Sequence, residues 1–137
     1  MNKKLKILLI EDDMIEVMKL KRTISSQQLP HQIIEAKNGE DALGFLHKKE
    51  QLPDIIFLDL NMPKMNGIEF LKILKDDSIL KYIPTIILTT SSNYKDVLEC
   101  YKIGIAGYII KPLKYEDYVY KLKTAMEYWS LNELIKN

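Results

Sequence analysis

Several residue types that would indicate other classes of protein are scarce in this chain of 137 residues. Cys100 is the single cysteine, so no internal disulfide can form, and we expect a reducing compartment, the cytoplasm. The five glycines form neither a dinucleotide-binding loop nor a Walker loop. No apolar run approaches the ~20 residues that a membrane span needs, and none resembles a signal peptide. We therefore predict a globular protein without a membrane segment.

An excess of one charge is also lacking. The 20 basic and 19 acidic residues leave a formal net charge of +1. This balance gives no electrostatic reason to expect binding to nucleic acid or to an anionic membrane. The two histidines, His31 and His47, are not at metal-ligand spacing, and we expect both on the surface.

Short apolar runs alternate along the chain with longer segments of helical period, which predicts an α/β fold. The predicted strands cover residues 5–10, 32–36, 55–58, 84–89 and 107–110, and the predicted helices begin near residues 14, 39, 67, 95 and 115. Five strands that alternate with five helices favour a doubly wound parallel sheet with helices on both faces. Residues 1–137 show no linker, so we predict a single domain.

Apolar spacing predicts the inward faces of the first and last helices. The residues expected inside are Ile15, Met18 and Ile24 in the first helix and Tyr118, Val119, Leu122, Ala125 and Met126 in the last. The last helix is predicted to end near Trp129. Because an apolar period continues through Leu131, Leu134 and Ile135, residues 130–137 are predicted to form a short helical extension.

Polar side chains occur where four of the predicted strands end. Glu11 and Asp12 follow the first strand, Asp59 follows the third, Thr89 ends the fourth and Lys111 follows the fifth. Since the carboxyl ends of parallel strands lie at one edge of a sheet, we expect these side chains to meet in one crevice. Two carboxylates about 4 Å apart repel by ~4 kcal/mol at an intermediate dielectric, so the cluster needs cations. Lys111 would supply one charge, and Mg²⁺, which prefers oxygen ligands, would supply two.

Each of these residues alone has an ordinary structural explanation. Asp13 can cap the helix that follows it, Thr89 suits a strand, and a lone lysine is usually a solvated surface residue. Their joint placement on successive strand ends instead favours phosphoryl transfer, with Asp59 as the nucleophile that becomes an aspartyl phosphate. Lys111 and the Thr89 hydroxyl would then contact phosphoryl oxygens.

The same reasoning assigns metal ligands. Asp12 and Asp59 would ligate the metal, with Glu11 beside them directly or through water. The backbone carbonyl of Asn61 would complete the coordination.

The segments that carry these residues resemble the receiver domain of two-component response regulators. The matching pieces are residues 10–13, 59–67, 89–90 and 107–112. The resemblance implies a flavodoxin-like sheet with strand order 2-1-3-4-5 and transfer of a phosphoryl group from a histidine kinase or phosphotransfer protein to Asp59. It also implies a signalling switch or phosphorelay member, with at most slow self-dephosphorylation, rather than an enzyme.

Further details follow from the resemblance alone. Thr89 and Tyr108 would be the switch pair, which remodels the face made by the fourth helix, fifth strand and fifth helix. The Lys111–Pro112 peptide bond would be cis, which an X–Pro bond adopts at modest cost. Residues 88–92 and 127–129 resemble the stand-alone regulators that are paired with bacterial phytochrome-type kinases.

Few residues follow the last predicted helix, too few for a DNA-binding domain, so we expect a downstream protein target. Aromatic side chains, which interfaces favour, are frequent from Tyr108 to Trp129. We expect a homodimer through the face that contains them. The alternative is that Tyr118 is a core residue and the other rings only cover the surface of their helix.

The sequence disfavours three other functions. A phosphatase of the haloacid-dehalogenase type carries its nucleophile on the first strand and an acid two residues later. Here Asp59 follows the third strand, and the residue two positions later is Asn61, which is not an acid. A flavin-binding flavodoxin needs a phosphate-cradling loop after the first strand, where Glu11, Asp12 and Asp13 would repel phosphate. A receiver that binds partners without phosphorylation is disfavoured because all the reactive residues are present.

Overall fold

The structure, a computed structural model, describes residues 3–135. The described strands are β1 (Lys6–Ile10), β2 (Gln32–Ala36), β3 (Ile55–Leu58), β4 (Thr85–Thr89) and β5 (Gly107–Ile110). The helices are α1 (Met14–Ser26), α2 (Gly39–His47), α3 (Gly67–Asp76), α4 (Tyr94–Ile103) and α5 (Tyr115–Ser130), with a short 3₁₀ helix at Leu80–Tyr82. None of the described helices is long and apolar enough to cross a membrane.

The strands form one parallel sheet in the order β2-β1-β3-β4-β5, which confirms the predicted fold class. Ile10 pairs with Leu58, and Thr89 pairs with Ile110. This register places the residues that follow β1, β3 and β5 at the same edge of the sheet, as the sequence predicted.

Both faces of the sheet are buried, and successive strand residues enter opposite halves of the core. Leu8 and Ile10 belong to the cluster under α2 and α3, whereas Ile7 and Leu9 belong to the cluster under α1 and α5. Phe57 is fully buried in this second cluster. The centre of the sheet is therefore a rigid support for the residues at its edge.

The predicted inner face of α1 is wrong at two positions. Ile15 is 70% exposed and Met18 is 58% exposed, whereas Val17 and Leu20 are buried together with Ile24. At about 100° per residue, Ile15 and Met18 lie on the side of the helix opposite to Val17 and Leu20. Helix α1 therefore exposes apolar side chains next to the polar edge of the sheet.

The inner face of α5 is confirmed for Tyr118, Leu122 and Met126, while Val119 and Ala125 are only partly buried. The predicted helical extension is wrong within the described residues, because α5 ends at Ser130 and residues 131–135 are turn and irregular chain. Lys3 donates its backbone N–H to the carbonyl of Ser130 at 3.1 Å. This contact takes an acceptor that another helical turn would need. Residues 136 and 137 lie outside the described part of the chain.

His31 is buried, contrary to the surface position expected from the sequence. Its Nδ1 accepts the backbone N–H of Leu5 at 3.0 Å, next to the start of β1. Burial lowers the pKa of His31 below its ordinary value. The folded state therefore favours the neutral imidazole.

Acidification is expected to destabilise the fold through His31. Because the pKa of His31 is lowered in the folded state, the unfolded chain binds the proton more readily than the folded chain does. As the pH falls through the ordinary histidine range, the unfolding free energy should therefore decrease by at most ~1.4 kcal/mol per pH unit. His31→Asn keeps an acceptor for Leu5 but cannot titrate. The difference in unfolding free energy between the two proteins, measured by urea titration from about pH 7.5 to about pH 5, should shrink on acidification. A constant difference would contradict the prediction.

Two glycines in helices, one packed against the edge of the sheet and one not, provide a matched test of packing. A Cβ on Gly67, the first residue of α3, would lie 2.6 Å from the backbone oxygen of Asp59 and 2.7 Å from Leu60 Cα. We expect Gly67→Ala to cost ~1–3 kcal/mol because backbone atoms must move. A Cβ on Gly44, inside α2, meets nothing within 4 Å, so Gly44→Ala should stabilise the fold by ~0.5–1 kcal/mol. Urea unfolding of both variants measures this contrast, and changes of the same sign would contradict it.

Candidate functional site

The site is built on backbone bonds at the carboxyl edge of the sheet. Glu11 donates its N–H to the carbonyl of Ala36 at 3.0 Å, and Asp59 donates its N–H to Ile10 at 3.1 Å. Both residues are buried, with 5% and 8% of their surface exposed. Neighbouring strands therefore fix the positions of these two acids independently of the loops.

Three acids predicted as metal ligands lie together. Carboxylate oxygens of Glu11, Asp12 and Asp59 all lie within 4.8 Å of one another, and Asp12 is the exposed member. Hard oxygen donors in a group of this size can hold a divalent cation, and its open side leaves room for water and a phosphoryl oxygen. The donor set therefore fits Mg²⁺. Asn61 is exposed in the loop after β3, and its role as a carbonyl ligand stays a prediction.

Lys111 is the cation that the sequence predicted at this edge. Its backbone N–H donates to Thr89 at 2.8 Å, and its Nζ donates to Glu11 Oε1 at 2.6 Å. Burial alone would lower the pKa of Lys111, but the bond to Glu11 and the surrounding carboxylates outweigh it and raise this pKa. Burial raises the pKa of Glu11 to about 7, although Lys111 acts against this shift. The ammonium of Lys111 is therefore charged, whereas desolvation disfavours the charged form of Glu11.

The sequence interpretation missed Glu16. Its Oε1 lies 3.7 Å from Lys111 Nζ, and its Oε2 lies 3.3 Å from Lys19 Nζ as an ion pair without hydrogen-bond alignment. Glu16 stands three residues after Asp13, the N-cap of α1, so its spacing is typical of a capping box. A capping acid on the first turn after β1 also points towards the sheet edge, and this was the signal that could have identified it.

The predicted switch residues share a partner in the loop after β4. Thr89 is fully buried, and its Oγ1 accepts the N–H of Ser91 at 3.4 Å. The hydroxyl of Tyr108 donates to the backbone carbonyl of Ser91 at 2.9 Å. The structure thus brings Thr89 and Tyr108 to one segment, at the same edge as the acids.

The expected cis peptide bond is not found. No cis peptide occurs among residues 3–135, so Lys111 and Pro112 are joined by a trans bond. Trans is the ordinary preference of an X–Pro bond, by about 0.5–1 kcal/mol. With this bond trans, Lys111 still reaches Glu11.

Comparison with known proteins agrees with this site. Residues 7–123 match the response regulator receiver domain family. The chain is 34% identical over 127 residues to the probable methanogenesis regulatory protein FilR2 of Methanothrix harundinacea, covering 90% of this chain and 82% of FilR2. It is 30% identical over 128 residues to the response regulator Rcp1 of Synechocystis, covering 90% of this chain and 87% of Rcp1.

Solved structures give the same result. The phosphorylated cyanobacterial phytochrome response regulator RcpA superposes with a TM-score of 0.90 at 30% identity, over 98% of this chain and 100% of RcpA. The Mn²⁺-bound form of Rcp1 superposes with a TM-score of 0.87 at 28% identity, over 97% and 99% of the two chains. The fold, the acidic cluster with its lysine, and these similarities together show that the chain belongs to the receiver domain family of two-component response regulators, with phytochrome response regulators among its relatives.

Proposed function

We propose that Asp59 accepts a phosphoryl group from a histidine kinase or phosphotransfer protein in a Mg²⁺-dependent reaction. The observation that carries this proposal is the convergence of Glu11, Asp12 and Asp59 within 4.8 Å, with Lys111 Nζ 2.6 Å from Glu11. Acids brought this close are costly unless a cation and an incoming phosphoryl group use them.

In the proposed step, a carboxylate oxygen of Asp59 forms a bond to phosphorus while the phosphorus–nitrogen bond of the donor phosphohistidine breaks. The electron pair of that bond stays on the imidazole nitrogen, which takes up a proton. When bound by Glu11, Asp12, Asp59 and the carbonyl of Asn61, Mg²⁺ supplies charge neutralisation. Lys111 pairs with a second phosphoryl oxygen, and the Thr89 hydroxyl donates to a third.

Two of the similar structures support this chemistry by analogy. The RcpA structure is of the phosphorylated protein, and the Rcp1 structure is of the Mn²⁺-bound form. Mn²⁺, like Mg²⁺, is suited by carboxylate, carbonyl and water ligands.

Incubation with MgCl₂ and acetyl phosphate, followed by intact mass measurement, tests the proposal. We expect each chain to gain one phosphoryl group, with no gain in the presence of a chelator. Mg²⁺ at ten times its dissociation constant should also stabilise the fold by ~1.4 kcal/mol. Continuous hydrolysis of a small phosphate ester without a lasting mass gain would instead indicate a phosphatase. No mass gain and no Mg²⁺ stabilisation would contradict the proposal.

The output proposed for the phosphorylated form is protein contact through α4, β5 and α5. This face exposes apolar and aromatic side chains, among them Tyr101, Ile110 and Tyr120, at 51%, 39% and 71%. Such residues favour an interface with a downstream protein or a second copy of the chain. We expect a homodimer through this face, and sedimentation that shows only monomer with and without acetyl phosphate would contradict it.

These proposals describe a switch in the cytoplasm, where a kinase phosphodonor would be available. At most slow self-dephosphorylation is proposed, as membership of the receiver domain family implies. The phosphorylated chain would signal directly or pass the group on in a phosphorelay.

A further inference from the structure

Four helices of this chain begin with the same spacing, an Asp or Asn at the N-cap and an acid three residues later. The pairs are Asp13 with Glu16, Asn38 with Asp41, Asn66 with Glu69, and Asn93 with Asp96. In α3 the pair closes as a capping box. Asn66 Oδ1 accepts the N–H of Glu69 at 2.9 Å, and Asn66 donates its own N–H to Glu69 Oε1 at 3.4 Å.

Helix α4 uses its acid differently. The N–H of Asn93 donates to Ser91 Oγ at 3.4 Å, and Ser91 Oγ donates to Asp96 Oδ2 at 2.8 Å. An aspartate is one methylene shorter than the glutamate of α3, and the Ser91 hydroxyl bridges the remaining gap. The first turn of α4 is therefore bound to Ser91 and not only to its own N-cap.

Ser91 also contacts both predicted switch residues through its backbone. Its N–H donates to Thr89 Oγ1 at 3.4 Å, and its carbonyl accepts the hydroxyl of Tyr108 at 2.9 Å. A threonine hydroxyl has one donor and two acceptor positions, so this contact orients the oxygen of Thr89 and leaves its proton for another acceptor. Ser91 thus connects α4, the phosphoryl-binding hydroxyl and the aromatic switch residue.

We propose that Asp96 is a positioning residue for the phosphoryl switch, which acts through the Ser91 hydroxyl on Thr89 and Tyr108. This inference rests on the proposed function. The bond from a hydroxyl to a carboxylate is charge-assisted and about twice as strong as one between neutral groups. It fixes the segment that holds Thr89 and Tyr108, so a movement of either residue is transmitted to the start of α4.

The first test needs no phosphodonor. The protein is labelled with 3-fluorotyrosine, and the Tyr108 fluorine resonance is assigned with a Tyr108→Phe variant. We expect Asp96→Ala and Ser91→Ala to move this resonance similarly, and the double variant to move it no further. Asp96→Asn, which keeps an acceptor for Ser91, should restore most of the original position. An unmoved resonance in Asp96→Ala would overturn the proposal.

The second test adds MgCl₂ and acetyl phosphate and follows phosphoryl gain by intact mass. Asp96→Ala should gain the group about fivefold more slowly than the parent, as expected for one lost hydrogen bond. The change in the Tyr108 resonance that accompanies phosphorylation should also decrease. Parental kinetics and a full resonance change in Asp96→Ala would overturn the coupling.

Glu99→Ala is the matched control, because Glu99 is on the same helix and pairs with Lys72 at 3.5 Å. It should behave like the parent in both tests, and equal effects of Glu99→Ala and Asp96→Ala would overturn the assignment to Asp96. If the parent gains no phosphoryl group while Asp96→Ala still moves the Tyr108 resonance, the proposed function fails and the contact through Ser91 stands.

Discussion

Asp59→Asn is expected to abolish phosphoryl gain from acetyl phosphate completely. An amide nitrogen or oxygen is a far weaker nucleophile than a carboxylate, and the amide also removes one of three acidic metal ligands. The remaining carboxylates of Glu11 and Asp12 do not replace Asp59, since an attacking atom must be held in line with the leaving group. Intact mass after incubation with MgCl₂ and acetyl phosphate measures the loss of phosphoryl gain.

Asp54→Asn is the matched control for this variant. Asp54 precedes β3 at the opposite edge of the sheet and accepts the backbone N–H of Lys6 through Oδ2 at 2.7 Å. An asparagine keeps an acceptor there, so this variant should fold and gain the phosphoryl group at the parental rate. Undiminished phosphoryl gain by Asp59→Asn would show that another residue is the phosphoacceptor.

The same substitution has a thermodynamic consequence without metal. Removing one of three neighbouring negative charges should stabilise the metal-free fold by ~1–4 kcal/mol, the repulsion of a like pair about 4 Å apart between the dielectric of water and an intermediate one. The stabilisation by Mg²⁺ should decrease because a ligand is gone. A higher unfolding free energy than the parent in chelator, together with a smaller gain on adding Mg²⁺, distinguishes loss of a charged ligand from simple damage to the fold.

The location of the site could be predicted because it depends on topology. Glu11, Asp59 and Lys111 each follow a short apolar run, and parallel strands bring such positions to one edge whatever the details of packing. The register of the sheet then places them within contact distance. No long-range information beyond the order of strands was required.

The orientation of α1 could not be predicted because its apolar residues form two stripes on opposite sides of the helix. One stripe contains Val17, Leu20 and Ile24, and the other contains Ile15 and Met18. Both fit the helical period, and only packing against β1 and α5 decides between them. The capping contact of Asp13 with Ile15 fixes where α1 begins but not which stripe faces the core.

Residues that act through tertiary contacts gave only local signals. Glu16 and Asp96 have the spacing of capping acids, as Glu69 does, yet Glu16 lies beside Lys111 and Asp96 binds Ser91. His31 resembled a surface residue because its partner, the N–H of Leu5, is a backbone group that no sequence pattern identifies. These roles depend on distances between elements that are far apart in the chain.

Lys111→Met is expected to lower the unfolding free energy in chelator by about 3 kcal/mol at alkaline pH, since it leaves a buried carboxylate without its cation. The Lys111 and Glu11 side chains are only 5% and 3% exposed, so solvent screens this pair little. Methionine has a similar volume, which limits any packing defect. Lys37→Met, at an exposed position after β2 on the same edge, should change stability little.

The size of this loss should depend on pH, and its sign follows from Glu11. Burial holds the pKa of Glu11 at about 7 even beside Lys111, and removing the ammonium raises this pKa further. A group whose folded pKa is raised stabilises the fold while protonated, and this contribution is lost as the pH rises through the folded pKa. The deficit of Lys111→Met should therefore be small near pH 6 and largest near pH 9 in urea titrations.

Two further measurements separate this mechanism from general damage. Glu11→Gln added to Lys111→Met should recover most of the lost stability, because it removes the unpaired buried charge. Saturating Mg²⁺ should also reduce the deficit, since the carboxylates then have another cation. A deficit equal at both pH values and unchanged by Glu11→Gln would show that Lys111 stabilises the site by packing and not by its charge.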